Sequence, residues 1–131
     1  MKAINEGKQM TDVWRLPAIG RWEKSCGKHP TQKPLALLTR IILASTDEHD
    51  WILDPFAGSS TTGIAATLCG RRFLGIEQDF KFSNLSYRRR RELDDRNLLE
   101  IYKNKIPDFK YTSQEITAKE PFENYGYDLP F

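Results

Sequence analysis

The sequence predicts an α/β domain built on a parallel, doubly wound sheet that is incomplete. Three observations point there. Two short apolar runs, Trp51–Asp54 and Arg72–Glu77, each end in an acid and read as buried strands. Helical patterns precede, separate and follow them, and the order helix, strand, loop, helix, strand, helix belongs to parallel sheets with crossover connections. Only these two runs are strong, whereas a stable sheet usually needs three or more strands with a covered face.

Residues 1–33 hold Pro17, Gly20, Gly27 and Pro30 and little helical periodicity, so they read as extended or looped, with a short strand near Val13–Leu16. From Pro34 the pattern changes. Leu35, Leu37, Leu38, Ile41 and Ile42 share one helical face, Pro34 suits a first turn, and the polar TDEHD stretch ends the helix near Ser45. A small-residue loop follows the first strand, then a helix from Thr61 to Leu68 that Gly70 stops. After the second strand, helix formers run from Asp79 to Lys105, where Pro107 limits the extent. Residues 34–105 therefore form the α/β portion. Residues 106–131 are acidic, with Lys110 and Lys119 against Asp108, Glu115, Glu120, Glu123 and Asp128. Their aromatics (Phe109, Tyr111, Phe122, Tyr125, Tyr127, Phe131) mark a docking segment, and either terminal segment is a candidate to add an edge strand.

Composition narrows the function classes. In 131 residues, 39% are hydrophobic and 11% aromatic, too many for a wholly disordered chain. A formal net charge of +2 excludes a purely electrostatic nucleic-acid binder but not a local basic patch. No apolar run is long enough to span a membrane, and the first ten residues lack a signal-peptide core. Cys26 and Cys69 do not make a disulfide framework, so a reduced, cytoplasmic compartment is expected. His29 and His49 lack ligand spacing with either cysteine, and no metal site is expected. Trp14 and Trp22 read as packing residues. Arg88–Arg91 read as a solvated face balanced by Glu92, Asp94 and Asp95, with contact to DNA phosphate as the alternative.

The loop after the first strand carries the chemistry. In Asp54-Pro55-Phe56-Ala57-Gly58-Ser59-Ser60-Thr61-Thr62, Gly58 and its small neighbours let a ligand approach the backbone. The following helix offers free N–H groups where ligands of open α/β sheets bind. Glu77 closes the next strand at about the spacing (~20 residues) of an acid that holds ribose hydroxyls. Neither G-x-G-x-x-G nor a P-loop Gly-Lys-Ser/Thr is present, so a nucleoside ligand without a pyrophosphate fits best. Taken alone, the loop also reads as a tight turn and Glu77 as a surface acid.

Three stretches resemble the site-specific DNA methyltransferases that modify an exocyclic amine, adenine N6 or cytosine N4. They are TDVW…GKHPTQKPL within residues 11–35, ILDPFAGSSTTGIAA at 52–66 and GRRFLGIEQD at 70–79. With HPTQKP ahead of DPFAG, the order resembles the permuted class whose cofactor motifs are C-terminal. The resemblance implies a partial Rossmann-like methyltransferase domain that binds S-adenosylmethionine. It places the methionine end of that cofactor against Asp54, Phe56, Ala57, Gly58, Ser59, Ser60, Thr61 and Thr62, and its carboxylate near Thr31, Gln32 and Lys33. It gives the ribose hydroxyls to Glu77 and the adenine neighbourhood to Gln78 and Asp79. Residues 1–33 would then end a target-recognition or linker region.

Two departures qualify what the resemblance implies. Ser60 stands where the family usually has a second glycine. The Asp/Asn/Ser-Pro-Pro-aromatic motif that holds the target amine is absent, since the sequence has no Pro-Pro, and Asp128–Phe131 (DLPF) is only a faint echo of it. The expectation is therefore the C-terminal, cofactor-binding portion of a restriction–modification methyltransferase. It would act on DNA, with adenine favoured, and need an N-terminal complement chain that supplies catalysis. The alternative is a non-catalytic cofactor- or DNA-binding module, or one that self-associates through an open sheet edge.

Overall fold

The computed structural model describes residues 11–109. Of the acidic, aromatic docking segment expected over 106–131, only residues 106–109 are described; the rest, Asp128–Phe131 included, lies outside the described residues. A short 3₁₀ turn, Arg21–Lys24, is followed by α1 (Leu35–Ser45), β1 (Trp51–Asp54), α2 (Thr61–Leu68), β2 (Arg72–Gly75), α3 (Phe80–Arg91), a second 3₁₀ turn (Glu92–Asp94) and α4 (Arg96–Lys105). The strands pair in parallel, with Trp51 opposite Arg72 and Asp54 opposite Gly75, so α2 is the crossover between them. The α/β class and the incomplete sheet expected from the sequence are both present among the described residues.

One face of this sheet is covered. Ile52 and Phe73 pack toward Leu35, Ile42, Ile64, Ala65, Ala66 and Leu68, and Tyr102 of α4 and Ile106 just past its end close that core. Ala65 and Ala66 keep α2 slim, which lets α1 pack close against it. On the opposite face the strict alternation of strand side chains exposes Trp51 at 65%, Leu53 at 62% and Leu74 at 55%. Monomeric domains seldom leave such a patch in water.

Two expectations are corrected. Val13–Leu16 forms no strand; Trp14 instead donates its indole N–H to Thr11 O (2.7 Å) and lies 5.7 Å under the Arg40 guanidinium. Among the described residues no strand pairs with that segment. The long helix expected over Asp79–Lys105 is broken at Asp95, whose extended backbone lets its carboxylate cap the Asn97 amide at 2.8 Å. Asp competes for the backbone in this way and so favours a helix start over a helix interior. Asp79 does the same for Lys81 at the head of α3.

Glu92, at that break, ties the N-terminal segment to the helices. It accepts hydrogen bonds from Ser25 Oγ (2.9 Å), Cys26 Sγ (3.0 Å) and Tyr102 OH. Burial pushes its carboxyl up, but the bonds from Cys26, Tyr102 and Ser25 and the charge of Arg89 outweigh this and hold it below the usual range. A depressed folded-state pKa contributes stability above the unfolded value of about 4.3, lost as pH falls through the lower folded value. Urea unfolding at pH 7 and at pH 3 should therefore show acid destabilisation that is smaller in Glu92→Gln. Arg40 and fully buried Asp108 form a second tie at 2.6 Å between α1 and the segment after α4. Asp108→Ala strands the mostly covered Arg40 guanidinium and is expected to cost about 3 kcal/mol by urea denaturation.

Candidate functional site

The site is assembled by the ends of β1 and β2. Past β2 the chain still bonds to its neighbour: Ile76 donates to Asp54 O and accepts from Ala57 N, both at 2.9 Å. This folds the Asp54–Ser60 loop back over the strand ends and leaves Glu77 beside it. Glu77 Oε2 then accepts the Gly58 amide at 2.7 Å, and Oε1 accepts the Asp79 amide at 2.9 Å. Asp54 anchors the loop from inside, accepting from Phe56 N (3.1 Å) and Thr62 Oγ1 (2.6 Å).

Backbone conformation explains the small residues. Gly58 and Ser60 both take left-handed dihedrals, at φ 52° and φ 59°. At Gly58 a Cβ would also meet His29 Nε2 at 3.2 Å. Ser60 therefore occupies a glycine-favouring position with a Cβ, and its buried Oγ has no hydrogen-bond partner among the described residues. No side chain caps α2, so its first amides are free to meet a ligand.

The HPTQKP segment faces this loop. Glu23, buried at 4% exposure, accepts the Leu35 amide at 2.8 Å and so caps α1, whose own N-cap is a proline. Gln32 Nε2 donates to Glu23 O at 3.0 Å. His29 packs on Phe82 with ring centroids 4.1 Å apart, and its Nδ1 accepts the Thr31 amide at 3.3 Å. Its other ring nitrogen, Nε2, faces Gly58.

Between the two segments lies a cleft of about 170 Å³. Of the residues expected at the site, Thr31, Gln32, Lys33, Asp54, Phe56, Ala57, Gly58, Ser59, Thr61 and Thr62 line it. Ser60 is buried behind the wall, while Glu77 is half-buried at its edge and Gln78 and Asp79 are exposed beyond. Sequence reasoning missed His29, Glu23 and Arg89. His29 sits two residues before Thr31, within the same motif. Arg89 falls midway between buried Leu85 of α3 and Leu93 of the following 3₁₀ turn, and that four-residue spacing was the available signal.

The arginine run is thus divided rather than uniformly solvated. Arg88, Arg90 and Arg91 are exposed, with Arg91 3.6 Å from Asp94. Arg89 is 1% exposed, and its Nη1 donates to Ser59 O at 2.6 Å and to Thr61 Oγ1 at 3.2 Å. Cys69 lies in the core, where burial pushes its thiol up to about 12, so it is no nucleophile. Among the described residues no metal-ligating group of His, Cys, Asp or Glu is assembled. A larger open groove of about 730 Å³, lined by Ser83, Tyr87, Arg90 and Arg91 among others, is built from none of these loop residues.

The left-handed serine gives a direct check on the loop. Ser60→Gly removes the Cβ strain and a buried, unpaired hydroxyl, partly offset by greater freedom of the unfolded chain. It should stabilise the domain by roughly 0.5 kcal/mol or more in urea denaturation.

Comparison with known proteins follows the same residues. Type II methyltransferase M2.MboI of Moraxella bovis is 61% identical over 93 residues, covering 71% of this chain and 34% of the relative. DNA adenine methyltransferase YhdJ of Escherichia coli (strain K12) is 47% identical over 85 residues, 65% of this chain and 29% of that protein. The chain thus spans about a third of the length of the curated relatives it matches. The crystal structure of the M1.HpyAVI–SAM complex is 47% identical, covering 47% of this chain and 30% of that one with a TM-score of 0.47. The N6_N4_Mtase family model, described as DNA methylase, matches residues 2–88, which include the HPTQKP segment, the Asp54–Thr62 loop and Glu77, and the chain belongs to that family.

Proposed function

We propose that this chain forms the S-adenosylmethionine-binding part of a DNA methyltransferase acting on an exocyclic amine, adenine N6 in preference to cytosine N4. One observation carries the reading: the HPTQKP segment and the Asp54–Thr62 loop line a single cleft, with Glu77 hydrogen-bonded to Gly58. The name of the E. coli relative supports the adenine preference.

The residues present fit that ligand. At about 170 Å³ the cleft is smaller than the ~300–1,000 Å³ pocket of a whole drug-sized ligand, and it suits an amino-acid end. Lys33 supplies a cation for the carboxylate, and the free amides at the head of α2 add donors. The nucleoside end would run along Glu77, Gln78 and Asp79, where each Glu77 oxygen has accepted one bond and keeps capacity for another. Bound there, the cofactor supplies a methyl group already activated on its sulfonium. The protein's task is then to hold and orient it.

The reading extends to a partner. Trp51, Leu53 and Leu74 leave an apolar sheet face in water, and the sequence lacks the Pro-Pro motif that would hold the target amine. A complement chain that covers this face and supplies the motif accounts for both, with the chain inactive alone.

Calorimetry is expected to show saturable S-adenosylmethionine binding that weakens about tenfold or more in Glu77→Ala, which loses both the ribose acceptor and the Gly58 anchor. Lys33→Ala should cost less, and the difference should shrink in high salt, because Lys33 is exposed. Transfer of labelled methyl groups into DNA should require the complement. Binding unchanged in Glu77→Ala would contradict the assignment, and a chain that self-associates through the apolar face would favour an assembly module.

A further inference from the structure

Arg89 is the largest fully buried side chain among the described residues, and the methyl-transfer reading gives it no role. It reaches back 30 residues from α3 to the loop, where Nη1 bonds Ser59 O and Thr61 Oγ1. Those two acceptors flank Ser60, the residue in left-handed conformation. Nη2 is equally buried and has no hydrogen-bond partner among the described residues. Burial lowers the Arg89 pKa, and the carboxylates of Glu23 and Glu92 act against that shift.

Packing alone does not call for a guanidinium here. An apolar side chain of similar volume on the Leu85–Leu93 stripe would fill the space without desolvating a charge, and such replacements are often neutral or stabilising. What the guanidinium adds is directional: it fixes the orientation of the Ser59–Ser60 peptide. That peptide sets where α2 begins, and so where the free amides of Thr61, Thr62 and Gly63 point. A charged donor on a carbonyl is about twice as strong as a neutral one, enough to hold a non-glycine residue in this strained region.

We propose that Arg89 is a positioning residue of the cofactor loop, holding Ser59 O and Thr61 Oγ1 so that Ser60 stays left-handed and the α2 amides face the cleft. It touches no ligand. It acts through the loop, and its effect on binding rests on the reading that the cleft takes S-adenosylmethionine.

The test compares wild type, Arg89→Met and Arg89→Lys in the full chain. Met keeps the volume and removes the donors, whereas Lys keeps one charged donor. Amide hydrogen exchange is read without ligand, and S-adenosylmethionine affinity by calorimetry. Arg89→Met is expected to unfold cooperatively like wild type, to exchange about tenfold faster at Ser60 and Ile64, whose amides bond Ala57 O and Ser60 O, but not in α1 or α4, and to bind about tenfold more weakly. Arg89→Lys should restore part of both. Wild-type exchange and affinity in a folded Arg89→Met overturns the proposal, as does an Arg89→Lys no better than Met. Global unfolding of Arg89→Met also overturns it, because the residue would then serve the core and not the loop. If wild type fails to bind the cofactor while the exchange pattern is as expected, the positioning role stands and the ligand assignment falls.

Discussion

The 2.7 Å hydrogen bond from the Gly58 amide to the Glu77 carboxylate is the contact on which the rest of the site depends. It can form only because Ile76 continues the parallel pairing past β2, with its N–H on Asp54 O and its carbonyl on Ala57 N. It can form only at glycine without strain, because the backbone there is left-handed and His29 presses against the space a Cβ would take. Three segments far apart in sequence therefore converge on one residue: the HPTQKP segment, the β1 loop and the end of β2. The same carboxylate that fixes the loop faces outward with unused lone pairs, so building the site and presenting it are one arrangement.

Behind this contact lies a layer of buried charge. Glu23 caps α1 through the Leu35 amide and holds Gln32 through its carbonyl, and Arg89 holds the far side of the loop. Burying an ion is costly unless its hydrogen bonds are satisfied. Each of these two ions is spent on a backbone group that a helix or a turn would otherwise leave unpaired. The apolar core beneath α1, α2 and α4 supplies the rigidity, while the polar contacts supply direction.

Much of this was legible in the sequence. The acid-terminated runs at Trp51–Asp54 and Arg72–Glu77, the small-residue loop and the acid at Glu77 gave the parallel pair, the crossover helix and the cleft wall. The misses share a cause. Asp95 reads as one more polar residue in a helical stretch until its side chain is seen capping Asn97. Arg89 reads as one of four solvated arginines, because charge outweighs periodicity in such a reading, although Leu85 and Leu93 bracket it at helical spacing. Ser60 was legible as a departure from glycine, but its left-handed backbone was not, since dihedrals follow from tertiary contacts.

Trp51, Leu53 and Leu74 stand exposed on one face of the sheet, and the cleft holds only about 170 Å³. The claim at the centre of this account is that the cleft is nonetheless formed well enough to hold S-adenosylmethionine. Its most direct test is to follow backbone amide resonances of the chain while the cofactor is added. The account predicts saturable shifts concentrated at Thr31–Lys33, Gly58–Thr62 and Glu77–Asp79, with α4 and the apolar sheet face unmoved. Saturable shifts centred elsewhere, or none in a folded chain, would contradict it.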